Sequence, residues 1–263
     1  MRFSDFLPVQ SLLESTGQNI LAWRDDLEAK QIHSELDFKT EADSRAHEMI
    51  KVGLKALYPG VVVISEEDAM HLEGRPDAYW LIDPIDGTAS WYNGFDGFVT
   101  QAAYIENNIP VFGAIHAPVL KKTWIALEGL GARLNGVPMT SLVANDRLIV
   151  IDNTARPKGI TARMASVLPC TGYIECGSLG LKSALVADGT ADLFVKDVCV
   201  RDWDLAPAAV ILQEVGGILC LATGEAYPFY GVYEKGSGFI VARDASLMSS
   251  ALDAYHTIQG RNQ

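Results

Sequence analysis

The sequence contains no C-x-x-C pair, no histidine within its acidic motifs, no apolar run of about 18 residues and no surplus of basic charge. Each absence removes a class of protein. The four cysteines, Cys170, Cys176, Cys199 and Cys220, are spaced apart among apolar neighbours in the second half, so they read as core thiols of a reducing compartment. Met1 to Gln10 carries acid, Pro and Gln where a secretory leader would be basic and then apolar. With no membrane span to be seen either, the expected location is the cytoplasm. Lys and Arg number 21 against 33 Asp and Glu, a formal charge of −12, which disfavours binding to a nucleic-acid polymer or an anionic membrane. An anionic small substrate would need metals or a few placed cations. Repeats, low-complexity tracts and flexible linkers are also missing. The 263 residues, 49% hydrophobic and 21% charged, suffice for one large or two closely packed domains.

What is present centres on Trp80-Leu81-Ile82-Asp83-Pro84-Ile85-Asp86-Gly87-Thr88. Tyr79 to Ile82 reads as a short buried strand that delivers Asp83 at its end and is stopped by Pro84. Gly87 permits the tight backbone that folds Asp83 and Asp86 back toward one point. Two converging carboxylates need a cation, and an oxygen-only ligand set suits Mg²⁺ or Mn²⁺ better than Zn²⁺.

Other segments end in acids as well. Pro8 to about Glu28 reads as an amphipathic helix interrupted by Gly17. Asp43 stands where a second helix begins and, taken alone, reads as its N-cap. Val61 to Ile64 is a β-branched run ending in Ser65-Glu66-Glu67-Asp68, which by itself is an ordinary solvated charge cluster. Phe98–Ile105 and Val111–Ala117 form a β-hairpin around Glu106 to Pro110, Thr123–Leu130 adds a strand, and Asn135-Gly136 is a turn. Beyond a soft boundary near Leu142 to Arg147, strands at Leu148–Ile151, Tyr173–Cys176 and Asp192–Lys196 alternate with helices at Ile160–Leu168 and Leu179–Ala187. Trp203-Asp204 then opens a helix with Pro207 in its first turn, where a missing N–H costs little. Strands at Ile218–Leu221 and Phe239–Ala242 and a helix over Ala245–Ile258 close the chain. The expected class is α/β with α+β character, divided into an N-terminal half, 1–145, that carries most of the acids and a C-terminal half, 146–263, that carries Asp204.

Asp43, Ser65-Glu66-Glu67, Asp83-Pro84-Ile85-Asp86-Gly87-Thr88 and Trp203-Asp204, in that order and spacing, resemble the inositol monophosphatase superfamily of magnesium-dependent, lithium-sensitive phosphatases. The resemblance runs from about Asp37 to Gly217. It implies a layered α/β/α/β/α fold. It also implies that Glu66, Asp83, Asp86, Asp204 and the Ile85 carbonyl hold two or three Mg²⁺, with Mn²⁺ as a substitute and Li⁺ as an inhibitor. Thr88 and Asp43 would orient and deprotonate the attacking water, with Glu66 at the same centre. The amides of Gly87 and Thr88, with that of Ala89, would cradle the phosphate. Many relatives are homodimers, so a dimer is compatible with the resemblance.

The substrate side departs from inositol monophosphatases, which usually follow D-G-T with T-N-F. Here Ala89-Ser90-Trp91 follows, the loop to Phe98 is one residue longer, and Lys196 stands where those enzymes carry a glutamate that contacts inositol. Gly177-Ser178-Leu179-Gly180-Leu181-Lys182 resembles the Gly-Ser to Lys segment of 3'(2'),5'-bisphosphate nucleotidases, which implies that Ser178, Lys182 and Lys196 hold a nucleotide. The leading expectation is hydrolysis of 3'-phosphoadenosine 5'-phosphate to AMP and phosphate by direct water attack. Inositol-1-monophosphate hydrolysis is the alternative. A non-catalytic metal- or phosphate-binding scaffold ranks below both, because every expected ligand is present. Histidinol-phosphate and fructose-bisphosphate activities have no clear support in the sequence.

Overall fold

The computed structural model describes residues 1–34, 38–68, 74–143 and 146–260; Asp37 and part of the Leu142–Arg147 boundary lie outside the described residues. Tyr79-Trp80-Leu81-Ile82 is apolar at both parities of a strand, so the sheet that holds it needs cover on both faces. Among the described residues, seven helices of at least five residues supply cover and connections: α1 (Leu7–Ala22), α2 (Glu41–Leu57), α3 (Thr88–Tyr92), α4 (Gly159–Val167), α5 (Leu179–Ala187), α6 (Asp202–Val215) and α7 (Ala245–Gly260).

The larger sheet places Val62–Ser65, Ala78–Asp86, Val99–Glu106, Ile109–Ala117, Lys122–Leu127, Ala132–Leu134 and Val137–Pro138 side by side in chain order. Its first pair is parallel and the others are antiparallel. The smaller sheet has the order Gly172–Glu175, Ile149–Asp152, Leu193–Lys196, Phe239–Ala242, Ile218–Leu221. Trp80, Ile82, Phe112 and Ile125 face Val9, Leu13, Ile50 and Leu54 of α1 and α2. Tyr79, Leu81, Ile115 and Trp124 face the opposite way, onto α5 and α6, which also pack on Phe194, Phe239 and Val241 of the smaller sheet. Its far face, with Val150, Leu193 and Ile240, is covered by α4 and α7. The layers are thus α/β/α/β/α, as the resemblance implies.

Several details differ from the sequence reading. Gly17 does not interrupt α1, which ends at Ala22 and continues only as a 3₁₀ turn over Trp23–Asp25 instead of reaching Glu28. The Glu106–Pro110 connection is a two-residue turn at Asn107-Asn108, both with positive φ, so Pro110 lies within its strand. Among the cysteines Cys176 and Cys220 are buried, but Cys170 is only half-buried and Cys199 is exposed, which corrects the reading of all four as core thiols. Cys199 falls between two strands, where no packed face claims it.

Candidate active site

In a regular strand, residues three apart point to opposite faces, so Asp83 and Asp86 would diverge. The strand does not stop at Pro84 as the sequence suggested; it runs through Asp86. Asp83 pairs with Gln101 and Asp86 with Val99, so Pro84 and Ile85 together oppose the single residue Thr100. This is a β-bulge, at the residue that lacks an N–H to donate. The extra residue changes the parity and turns both carboxylates to one side. Asp83, Asp86 and Asp204 bring carboxylate oxygens within 4.8 Å of one another. Gly87 follows at φ +92°, where an added Cβ would stand 2.8 Å from the Gly97 carbonyl oxygen, so only glycine makes this turn without strain.

Two helix starts aim Asp43 and Asp204. Thr40, not Asp43, is the N-cap of α2; Asp43 is its third residue and reaches back to accept the Thr40 amide at 2.8 Å and hydroxyl at 2.6 Å. Asp204 is likewise third in α6 and accepts the Arg201 amide at 2.8 Å. The same device thus fixes both carboxylates. The free oxygen of Asp43 receives the Thr88 hydroxyl at 2.9 Å, and that hydroxyl also lies 2.9 Å from the Ile85 carbonyl oxygen.

Pro207 sits in the second turn of α6, not the first, because the helix begins at Asp202. Lacking an N–H, it gives nothing to the Trp203 carbonyl four residues back. Gln101 fills the gap, donating at 3.1 Å to that carbonyl while its nitrogen also lies 3.3 Å from Asp86. Gln101 was not anticipated; its only sequence signal is a polar residue inside an apolar strand.

Burial of so many acids has an electrostatic cost. Burial, reinforced by the neighbouring carboxylates, pushes Asp83 and Asp204 well above the usual carboxylate range. It raises Glu66 to about 7 and Asp43 to about 6. Among the described residues, Asp83 Oδ1 is buried with no hydrogen-bond partner. An orphaned anionic oxygen facing two further carboxylates is a donor set that a hard divalent cation fits. Lys39 donates to the Glu66 carbonyl at 2.7 Å and pairs with Glu67 at 3.0 Å, while Arg201 lies 3.4 Å from the Glu66 carboxylate. Beneath this turn, the His47 ring lies 2.8 Å from the Ser65 hydroxyl, which accepts the Glu67 amide at 3.2 Å. Neither Lys39, Arg201 nor His47 was singled out in the sequence.

The substrate-side expectations fare differently. Ser178 and Lys182 are each 1% exposed, so neither presents itself to a substrate. Ser178 donates to Asp86 and Lys182 to the Cys176 and Gly177 carbonyls. Lys196 is committed too, paired with Asp152 and donating to Asn153 at 2.8 Å. The reason is topological: Ile149–Asp152 and Leu193–Lys196 are parallel neighbours whose ends meet. A cavity of about 780 Å³, lined in part by Arg75, Arg201, Trp203, Tyr230, Tyr233 and Glu234, opens beside the first turn of α6 without including the clustered carboxylates.

The sequence profile of the inositol monophosphatase family matches residues 17–259. The chain therefore belongs to that family and is a phosphoric monoester hydrolase. It is 34% identical to the 3'(2'),5'-bisphosphate nucleotidase CysQ of Aggregatibacter actinomycetemcomitans over 68% of this chain and 70% of that one. It is 31% identical to a fructose-1,6-bisphosphatase/inositol-1-monophosphatase of Thermotoga maritima, over 72% of this chain and 73% of the other. The solved Thermotoga maritima IMPase superposes with a TM-score of 0.83 at 25% identity, covering 99% of each chain.

Proposed function

We propose that Glu66, Asp83, Asp86, Asp204 and the Ile85 carbonyl hold Mg²⁺ and that the enzyme removes the 3'-phosphate of 3'-phosphoadenosine 5'-phosphate. The observation that carries the metal reading is the cluster of Asp83, Asp86 and Asp204 with one oxygen of Asp83 left without a donor. Bound Mg²⁺ would neutralise the phosphoryl oxygens and leaving alkoxide and make water more acidic. The chain's own contribution is proton handling and orientation. Thr88, donating its proton to Asp43, keeps its oxygen lone pairs available to accept a proton from water, and Asp43 is the acceptor behind it. A carboxyl raised to about 6 is a better base near neutrality than an ordinary aspartate. Thr40 holds the other Asp43 oxygen, so the acceptor cannot swing away. Ser90 and Trp91 turn their amides inward to the Gly87 carbonyl, and the proposal gives the phosphate to the amides of Gly87 and Thr88 ahead of them.

Support for the nucleotide comes from the bisphosphate nucleotidase relatives, since Ser178, Lys182 and Lys196 are committed within the protein. That commitment favours inositol 1-phosphate as the second reading, because the argument for a second anionic group loses its cations. Phosphate release from both compounds by purified protein in Mg²⁺ tests the choice. The expected result is faster release from the bisphosphate nucleotide, lost in Asp83→Asn. Faster release from inositol 1-phosphate would reverse the assignment, and equal rates for wild type and Asp83→Asn would remove the site itself.

A further inference from the structure

The segment Gly177 to Lys182 faces inward. The Ser178 hydroxyl donates its one proton to Asp86 Oδ2 at 2.5 Å and accepts the Leu181 amide at 2.8 Å. The Gly180 amide adds 2.6 Å to the same oxygen, and the Leu179 amide lies 3.2 Å from Oδ1. Asp86 thus has one oxygen, Oδ2, saturated by donors and the other, Oδ1, held by one longer bond, so its orientation within the cluster with Asp83 and Asp204 is fixed from the Ser178 side. Lys182 follows Ser178 by four residues, one helical turn, and its side chain returns toward the helix start as helical side chains do. There it donates to the Cys176 carbonyl at 3.2 Å and to that of Gly177, with its ammonium 5.0 Å from the centre of the Phe194 ring. The turn it ties down is wedged on both sides. A Cβ on Gly177 would stand 2.1 Å from Ser90 Oγ, and one on Gly180 would stand 2.1 Å from Gln101 Oε1. The Ser178 amide donates to the Gly97 carbonyl at 2.8 Å.

We propose that Ser178 and Lys182 are positioning residues of the metal site, Ser178 fixing Asp86 and Lys182 fixing the turn that presents Ser178. They set affinity for the metal and not for the substrate. The inference rests on the assignment of Asp86 as a metal ligand. Partners that orient a ligating carboxylate are worth about 10–100-fold in metal affinity.

The test is Mn²⁺ titration of chelator-stripped protein, followed by the spectrum of free Mn²⁺ with no substrate present. It is paired with the KM at saturating Mg²⁺ for whichever of the two test phosphates is hydrolysed. Ser178→Ala and Lys182→Met should each raise the Mn²⁺ Kd about tenfold with KM unchanged, and Ser178→Thr, which keeps the hydroxyl, should restore most of the affinity. A raised KM with unchanged Mn²⁺ binding would overturn the inference in favour of substrate contact. A lowered melting temperature with neither constant changed would overturn it in favour of a purely structural role. Wild type that binds no Mn²⁺ would overturn the metal assignment itself, whereas binding lost in Asp83→Asn but intact in Ser178→Ala would overturn only the role of Ser178.

Discussion

At the residue scale, the Thr88–Asp43 pair makes the most direct demand on experiment. Thr88→Ala removes the hydroxyl that donates to Asp43, and on the proposed reading it cuts water off from that carboxylate, while Asp43→Asn removes the proposed acceptor. Each should lower kcat by about 10²–10⁴-fold, the usual weight of general-base catalysis. Both should leave Mn²⁺ binding near wild type, because neither residue belongs to the Asp83, Asp86, Asp204 cluster. Steady-state phosphate release at saturating Mg²⁺ measures the first effect and metal titration the second. A loss of metal affinity that accounts for the whole rate effect would contradict the separation of roles. The acids themselves were legible in the sequence because each ends a strand or starts a helix, where an isolated carboxylate leaves a mark. Gln101, Lys39 and His47 left no such mark. Their partners are backbone groups or neighbours far along the chain, and a single polar residue in a strand or helix does not announce which atom it will meet.

At the scale of elements, α6 and the Val99–Glu106 strand are joined at the site by Gln101. Gln101→Leu keeps the volume but withdraws the donor from the Trp203 carbonyl and from Asp86, both buried. The cost of leaving a buried acceptor without its donor is about 1–3 kcal/mol. In a chain of this length each kcal/mol corresponds to a fall of about 2–4 °C in Tm, readable by thermal denaturation. A Tm within error of wild type would show that Gln101 is dispensable to the helix start. Pro207 illustrates why sequence reading fell short here. The sequence pattern puts the residue in a helix, at a harmless first-turn position. The earlier start of α6, at Asp202, converts it into the cause of a vacant carbonyl that a neighbouring strand must satisfy. The layer order came from the family resemblance, because apolar residues at both strand parities of Tyr79–Ile82 say only that their own sheet is covered on both faces.

At the scale of the whole molecule, the buried acids make stability depend on pH and, on the proposed reading, on metal. A carboxyl whose pKa is higher in the fold than in the unfolded chain stabilises fully below its unfolded value and loses that contribution as pH rises through its folded value. For Asp43 the window runs from 3.8 to about 6, and for Glu66 from 4.5 to about 7. Chelator-treated protein should therefore melt at a lower temperature at about pH 7.5 than at about pH 5.5. Excess Mg²⁺ should raise the melting temperature more at the higher pH, because binding no longer has to displace protons. Calorimetry at the two pH values with and without Mg²⁺ checks both statements. A Mg²⁺ shift that shrinks as pH rises would contradict the proposed assignment of Glu66 and the clustered aspartates to a metal.

The bulge at Pro84-Ile85 has a consequence for how this segment can change. Strand residues obey an odd–even rule, and the two carboxylates share a pocket only because one surplus residue breaks it between them. Deleting either Pro84 or Ile85 would restore regular pairing and keep Asp83 and Asp86 in the sequence, now two positions apart. Regular geometry would still put them on one face, but about one residue-step closer, and loss of Ile85 would also take away the carbonyl that Thr88 meets. Adding a residue to the bulge would instead send one acid to the α2 side of the sheet. For this stretch the count of residues is as binding as their chemistry. Substitutions at Ile85 that keep an apolar side chain should be borne easily, while any change of length should not.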